Sequence, residues 1–539
     1  MRDVKERQIS PANQRQNARM AFCGVKFNTI ISGGNIVDGT GKQEPFVADI
    51  GIQDDRIAAI GDLGQAEASR RISAEGQVVC PGFVDVHVHS EIALLGGRDQ
   101  FAAVSQGVTT HLAAPDGFGW APLSPAQAQE MWHYTQFAYG DAEVDLNWQT
   151  PDAYLSIFEG KIPANLYPQV PHCAVRLGAM GWDPRPATAD ELKVMEHTTR
   201  EWLEAGACCL CLGLDYQPSA NADLHELVYL SKIAASYDAI YAAHVRYRIL
   251  GRKQAWEETI EIAQRAEIPV HISHERVDDE ASEILERVER EDIDLTFESY
   301  LYPAGMTHLA MMLPMEFQTG APADMLANLE NLDVREKSLA HLQGELRQGN
   351  QIVGYNRSGR FIGMTLAEAA KSESKSNENF AFDLICDEAA IETFVMPWAT
   401  PPQENERILN RTASHPRMMI ASDGVYNIPH PHPRSYGCFV QYLGKFVRER
   451  QLISLQEAIY KMSGFPAERF RLSDRGKISR GFAADIVVFN PETVADRSTW
   501  FDPVQSPVGV NWVFVNGVSV VEDGNVTGQL PGKVLRQQR

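Results

Sequence analysis

Eight short apolar runs set the fold that this chain of 539 residues is expected to adopt. Stretches with apolar residues at helical intervals, such as 190–205, 221–236 and 253–266, separate several of these runs. Alternating strands and helices predict a parallel sheet, and eight strands are the number that closes a (β/α)8, TIM-like barrel in the α/β class. The runs are residues 82–89, 107–115, 169–180, 206–214, 238–245, 268–274, 293–299 and 418–423.

The two ends of the chain show a different sequence pattern, which predicts short strands joined by tight turns. Residues 29–60 and 484–521 both show it, and neither half holds enough strands for a domain of its own. Together they predict a small β-sandwich beside the barrel. The predicted domains are a flexible N-terminal extension at 1–25, a sandwich at 26–80 plus 478–539, and a barrel at 81–477 with an insertion at about 303–415 between strands seven and eight.

Composition narrows the class of partner. The formal net charge of -22 and the sequence pI near 5.2 argue against nucleic acid and anionic membrane, because phosphate binding needs a basic face. No apolar run approaches the roughly 20 residues of a membrane span, and the polar start lacks the apolar core of a signal peptide. Eight cysteines without regular spacing predict free thiols. We therefore expect a cytoplasmic protein with a small-molecule substrate, and a homo-oligomer is left open.

Histidines mark the candidate site. His87 and His89 end the first run, and alternation along a strand places their side chains on one face about 6.5 Å apart. Such a pair binds a metal or is buried in a core, and by itself it does not decide between the two. His244, His274 and Asp423 also end apolar runs, and the C-terminal ends of barrel strands are where such barrels carry their chemistry. This arrangement favours a metal site.

The motifs together resemble the N-acyl-D-amino-acid deacylases, or D-aminoacylases, of the metal-dependent amidohydrolase superfamily. The resemblance covers nearly the whole chain from about Phe27, and the motifs occur in the family's order. They are residues 82–89, 107–110, 213–218, 272–274, 300–305, 422–424, 430–434 and 477–487.

The resemblance implies a set of metal ligands. It assigns His87 and His89 to one metal position, His244 and His274 to the other, and contact with the metal plus proton transfer to Asp423. Where the family usually has Asn-Cys-Gly, this chain has Pro-Asp-Gly, so a carboxylate replaces a thiolate. Asp116 then either bridges two metals or is only a turn residue before glycine. The implied cofactor is zinc, as one or two ions, and a carboxylate also suits manganese or iron.

The resemblance also implies how the substrate carboxylate is held. The residues at the matching positions are Arg276, Tyr302 and Arg434, with Arg276 standing where the family has lysine. Arginine keeps the charge and allows a two-pronged bond to a carboxylate. His172, at another predicted strand, either lines the pocket or is a core residue.

The implied activity is hydrolysis of the amide bond of an N-acyl-D-amino acid, with a metal-activated water as nucleophile and Asp423 as general base and acid. Two alternatives remain. One is hydrolysis of another amide, dipeptide, carbamoyl or cyclic-imide substrate on the same barrel, because fold does not fix substrate. The other is a non-catalytic relative that uses the barrel as a scaffold.

Overall fold

The computed structural model describes residues 26–97, 99–140, 142–387, 392–397 and 400–538; the predicted extension at 1–25 lies outside them. Parallel strands at eight positions form a closed barrel, and the last ladder pairs Gly424 with Val88. The barrel strands are Phe83–Asp85 with Val88–His89, Val108–Leu112, Asn165–Tyr167 with Val170–Pro171, Cys209–Gly213, Ile240–His244, Val270–Ile272, Leu295–Ser299, and Met418–Ile420 with Gly424–Val425.

Helices surround the barrel because each buries one apolar stripe. In Asp279–Arg290, Ala281, Ile284, Leu285 and Val288 are buried at helical intervals, and the helix starts where the Asp278 side chain accepts from the amide of Ala281. The α-helices outside the insertion are Glu91–Leu94, Ala102–Ser105, Pro125–Tyr139, Pro151–Ser156, His172–Met180, Ala189–Glu204, Leu224–Ser236, Tyr247–Leu250, Arg252–Ala266, Asp279–Arg290, Pro402–Ser414, Arg434–Gln441, Leu455–Ile459 and Phe465–Arg469.

The third barrel strand differs from its prediction. Residues 169–180 were expected to be a strand, but the strand is Asn165–Tyr167 with Val170–Pro171, and His172–Met180 is a helix. A short apolar run cannot distinguish a buried strand from a buried helix by periodicity. His172 is a core residue, since its Nδ1 lies 2.7 Å from Ser219 Oγ and its Nε2 lies 3.0 Å from Glu226 Oε1.

Both chain ends contribute to one nine-stranded sheet. A small β-sandwich was predicted; its strands are hydrogen-bonded into one continuous sheet, in which the strand Lys26–Ile36 pairs with two successive strands along one edge. The last residues of the chain leave this sheet, and the amide of Leu535 donates to the carbonyl of Leu166 in the barrel. The strands are Lys26–Ile36, Phe46–Gln53, Arg56–Gly61, Glu67–Ser73, Val78–Pro81, Ile486–Phe489, Val510–Val515, Val518–Glu522 and Asn525–Val526.

Between the seventh and eighth barrel strands the chain forms a separate small unit with its own apolar core, which includes Leu309, Leu342 and Phe380. A three-stranded antiparallel sheet joins this unit to the barrel. Its strands are Ala304–His308, Ile352–Tyr355 and Thr393–Pro397, and its α-helices are Pro322–Leu329, Leu332–Glu345, Leu366–Ser372 and Asn377–Asp387. Among the described helices, none has the length and apolar character needed to cross a membrane.

Asp485 joins the sheet to the barrel. Its Oδ2 accepts from Asn165 Nδ2 at 3.0 Å and from Arg475, and its Oδ1 accepts from the amide of Asn516 at 2.6 Å. Its carbonyl accepts from the amide of Gly82 at 2.8 Å, directly before the first barrel strand. Asp485 and Arg475 are both buried, so each charge depends on the other for compensation.

We expect Asp485→Asn to lower the free energy of unfolding by about 3 kcal/mol, because the variant removes the buried carboxylate that pairs with Arg475 and leaves only the more exposed Asp474, 3.8 Å from Nε. The measurement is the thermal unfolding temperature, with Asp523→Asn in an exposed turn as the control. Equal unfolding temperatures for the two variants would show that the junction does not depend on this ion pair.

Candidate metal centre and substrate cavity

The barrel brings the six predicted metal ligands together at the C-terminal ends of its strands. His87 and Asp423 lie between the two segments of strands one and eight, His89 and His244 end strands one and five, and Asp116 and His274 lie in the turns that follow strands two and six. Two groups of three have ligand atoms within 4.8 Å of one another, namely His87, His89 and Asp423, and His87, Asp116 and His274. The six residues thus converge at one end of the barrel, and their assignment to two metal positions stays a prediction.

Asp116 lies between the two histidine pairs. One of its oxygens, Oδ1, is 3.6 Å from His87 Nε2 and 3.8 Å from His244 Nδ1, while Oδ2 is 3.6 Å from His89 Nε2. His244 Nδ1 in turn is 3.0 Å from His274 Nε2. A carboxylate with two oxygens therefore reaches both predicted metal positions.

The donor set fits a metal. His87 Nε2 and Asp116 Oδ1 are buried and have no hydrogen-bond partner among the described residues, although buried polar atoms are normally paired. Asp423 Oδ1 lies 3.7 Å from His87 Nε2 and 3.5 Å from His89 Nε2. Imidazole nitrogens and carboxylate oxygens that converge without other partners are the ligands that zinc uses in catalytic sites.

The charges around this cluster favour a cation. Burial acts to lower the pKa of His87, but Asp116, Glu298 and Asp423 outweigh it and raise this pKa to about 10. Burial acts to raise the pKa of Asp423, yet Arg434 and the histidines hold it well below its usual range. Burial and the neighbouring His244 lower the pKa of His274 to about 4, so this ring is neutral at pH 7, as a metal ligand must be.

A second layer of side chains holds the candidate ligands. Glu298, buried in the seventh strand, accepts from His87 Nδ1 at 3.1 Å and from the amide of His274 at 2.9 Å, and its other oxygen contacts His271 Nε2. Asp215 Oδ2 lies 3.1 Å from His244 Nε2. Such carboxylates fix the ring orientation of a ligand and raise its basicity.

Three of the ligands have a strained backbone. The φ angles of Asp116, His274 and Asp423 are +55°, +40° and +46°, in the left-handed region that non-glycine residues rarely adopt. Strain of this kind costs about 1–3 kcal/mol per residue and persists where the surrounding structure holds it, commonly at functional sites. Its occurrence at three converging residues supports a functional role for them.

A cavity of about 290 Å³ opens beside the cluster. Its wall contains five of the predicted ligands together with Tyr300 and Arg248. Residues of the unit between strands seven and eight complete the wall, among them 305–307, 311, 312, 393 and 396.

The predicted carboxylate-binding residues stand behind this wall. Arg276 contacts Asn405, and the hydroxyl of Tyr302 donates to Asp496 Oδ2 at 2.7 Å. Arg434 is fully buried, with Nη2 2.8 Å from Asp423 Oδ2 and its guanidinium carbon 4.1 Å from the Tyr300 ring centroid. Direct contact of these three residues with substrate stays a prediction.

Known proteins match both the sequence and the fold. Residues 384–521 match the model of the Amidohydrolase family. D-aminoacylase from Alcaligenes xylosoxydans xylosoxydans is 31% identical over 94% of this chain and 97% of its own length. The chain belongs to the D-aminoacylase family of amidohydrolases. N-acyl-D-glutamate deacylase from the same organism is 30% identical over 95% of this chain and 97% of its own length.

Two solved structures of the family concern its metals. One belongs to work on the binuclear metal center of D-aminoacylase, and it matches with a TM-score of 0.78 and 30% identity over 95% of this chain and 100% of that chain. The other is N-acyl-D-glutamate deacylase from Bordetella bronchiseptica with zinc and a phosphonate mimic of the tetrahedral intermediate, with a TM-score of 0.77, 30% identity and the same coverage. The resemblance inferred from the motifs is confirmed, as is a barrel with a β domain.

Four residues of the site were not identified from the sequence: Glu298, Asp215, Tyr300 and Arg248. Glu298 gave the clearest signal, since it is a charged residue inside the apolar run of the seventh strand. Asp215 and Tyr300 stand within motifs of the resemblance, two residues from a strand end and from Tyr302, respectively.

We expect Glu298→Gln to weaken zinc binding by roughly 10- to 100-fold, because a neutral amide cannot support the basicity of His87. Competition with a chromophoric chelator measures the affinity directly. Glu289→Gln, at an exposed glutamate of the preceding helix, is the matched control. If both variants bind zinc as the parent does, Glu298 does not orient a metal ligand.

Proposed function

We propose that this chain is a zinc-dependent hydrolase that cleaves the amide bond of an N-acyl-D-amino acid. The observation that carries the proposal is the convergence of four histidines and two aspartates beside one small cavity. The family relatives described as D-aminoacylase and N-acyl-D-glutamate deacylase support the choice of substrate. A cavity of about 290 Å³ suits a small substrate, since ligand pockets run from roughly 300 to 1,000 Å³.

His87, His89 and Asp423 would hold one ion, His244 and His274 the other, and Asp116 would contact both. When bound, zinc acts as a Lewis acid that lowers the pKa of a water molecule and polarises the scissile carbonyl. The distances of Asp116 to both histidine pairs support a site for one or two ions. Manganese and iron also accept this nitrogen and oxygen donor set.

Asp423 would move the proton. It accepts a proton from the attacking water as the new C–O bond forms, then passes that proton to the amide nitrogen as the C–N bond breaks. The products are a carboxylic acid and a free amino acid. Arg434, 2.8 Å from Oδ2, supports this role because it keeps the Asp423 carboxylate charged and oriented.

The α-carboxylate of the substrate would lie on the Tyr300 side of the cavity. Burial raises the pKa of the Tyr300 hydroxyl to about 12, while the charges of Arg434 and Arg276 oppose that rise, and the Arg434 guanidinium carbon lies 4.1 Å from the Tyr300 ring centroid. Tyr302, which is also within the field of Arg434, would support the same wall from behind. An anion is stabilised where two cations converge.

The unit between strands seven and eight would act as the cover of the cavity, because residues 305–307, 311, 312, 393 and 396 line it. A cytoplasmic location is part of the proposal, since the seven cysteines in the described residues are free and disulfides are rare in that compartment. The homo-oligomer left open by the sequence stays a prediction.

We expect Asp423→Asn to lower kcat by about 10³-fold while the protein remains folded, because the side-chain amide of asparagine cannot accept the proton of the attacking water. Turnover of an N-acetyl-D-amino acid gives the rate, thermal unfolding reports the fold, and mass spectrometry reports the zinc content. Asp292→Asn, at an exposed aspartate, is the control. A normal rate in the Asp423 variant would remove it from proton transfer.

The function itself is tested with N-acetyl amino acids in paired D and L forms, using protein loaded in turn with zinc and with manganese. We expect amine release from D forms, with the L forms slower by about 100-fold or more, because only one hand of the substrate aligns its amide with Asp423 while its carboxylate faces Tyr300.

Other outcomes point elsewhere. If the protein hydrolyses only dipeptides, carbamoyl compounds or cyclic imides, it acts on a different substrate class of the same superfamily. A folded protein that binds no metal and releases nothing would indicate the scaffold role instead.

A further inference from the structure

Arg248 is a cation on the cavity wall without an ion-pair partner in the part of the chain that the structure describes. Its amide donates to Asp215 Oδ1 at 3.2 Å, and Asp215 also holds His244, so the backbone is fixed relative to the metal ligands. Its Nε is buried and has no acceptor among the described residues. An arginine that is partly buried in a protein of net charge -22, and that still lacks a carboxylate, has capacity for an anionic ligand.

His308 is near enough to Arg248 for the arginine's charge to affect its pKa, and its ring nitrogens are also unpaired within the described ranges. Its ring is buried 4.4 Å from Phe137 and 6.3 Å from Tyr216, measured between ring centroids, and both of these aromatic residues line the cavity. Neither ring nitrogen has a hydrogen-bond partner within the described ranges. Burial and the charge of Arg248 lower the pKa of His308 to about 3, so it is a neutral ring with one N–H to donate.

We propose that Arg248, with His308 beside it, receives a carboxylate in the side chain of the substrate, so that the preferred substrates are N-acyl derivatives of acidic D-amino acids. This inference rests on the proposed function. In the proposed function the α-carboxylate lies on the Tyr300 side, where the Arg434 guanidinium carbon is 4.1 Å from the ring centroid, and Arg248 is a separate cation of the cavity wall. Relatives described as D-aminoacylase and N-acyl-D-glutamate deacylase are 31% and 30% identical, so overall identity does not choose between them.

The experiment compares N-acetyl-D-glutamate with N-acetyl-D-glutamine, which have nearly the same shape and differ in one charge. The quantity measured is the ratio of kcat/KM for the two substrates with the zinc-loaded protein. We expect the parent to prefer N-acetyl-D-glutamate by about 100-fold. Arg248→Gln should reduce that ratio by about 100-fold, because the side-chain carboxylate of the substrate would then lose its cationic partner. Arg248→Lys keeps the charge but cannot make the two-pronged bond of a guanidinium group to a carboxylate, and we expect its ratio to fall by about 10-fold.

Arg265→Gln is the matched control. This arginine lies on an outer helix, is 49% exposed and pairs with Glu261 at 3.0 Å, and its substitution changes the net charge by the same amount without touching the cavity. Its ratio should equal that of the parent within about twofold, since exposed charges are screened by salt.

The outcomes separate the two levels of inference. A parent that releases amine from no N-acyl-D-amino acid overturns the proposed function. A parent that hydrolyses neutral and acidic D-substrates equally, or an Arg248→Gln variant that keeps the parent's ratio, overturns the role of Arg248 alone. Thermal unfolding and zinc content report whether the glutamine variant is folded; if it is not, the ratio of the lysine variant decides.

Discussion

The metal centre depends on closure of the barrel between its first and eighth strands. The amide of Asp423 donates to the carbonyl of His87 at 2.8 Å, although the two residues are far apart in the chain. Asp85, buried in the first strand, accepts from the amide of Ser422 at 3.0 Å and from that residue's hydroxyl. Strand pairing thus sets the position of the proton-transfer candidate relative to two histidines, and a barrel that did not close would leave the site incomplete.

Charge balance explains why so many carboxylates are buried at this position. Glu298 is held ionised by His271 and His87, since burial alone would raise its pKa and these rings lower it well below the usual range. Asp116 and Asp423 add further negative charge within 4 Å of His87. A group of anions that lies in a low-dielectric interior is stable only with cations among them. Arg434 balances one of these carboxylates, and the others depend on protonated histidines or on a metal; the unpaired ligand atoms favour a metal.

The convergence of the candidate ligands was predictable because their positions follow from strand geometry. His87, His89, His244, His274 and Asp423 end apolar runs, and the ends of parallel barrel strands meet on one face whatever the details of packing. Residues behind or around that face were less accessible: Glu298 is a mid-strand residue, and the predicted Tyr302 points to Asp496 whereas Tyr300, two positions earlier, lines the cavity. The path of the chain after the seventh strand decides which tyrosine faces the cavity, and no sequence pattern predicts that path.

The carboxylate at position 116 can be understood from its contacts. Its two oxygens lie 3.6–3.8 Å from three imidazoles that belong to both predicted metal positions. A thiolate offers a single sulfur, whereas a carboxylate divides its charge between two atoms and binds hard as well as borderline metals. The backbone there is already left-handed at φ +55°, a conformation that aspartate tolerates better than most residues. These contacts support the prediction that Asp116 is a metal ligand rather than only a turn residue before glycine, and a carboxylate there would widen the choice of ion relative to the cysteine that the resemblance implies.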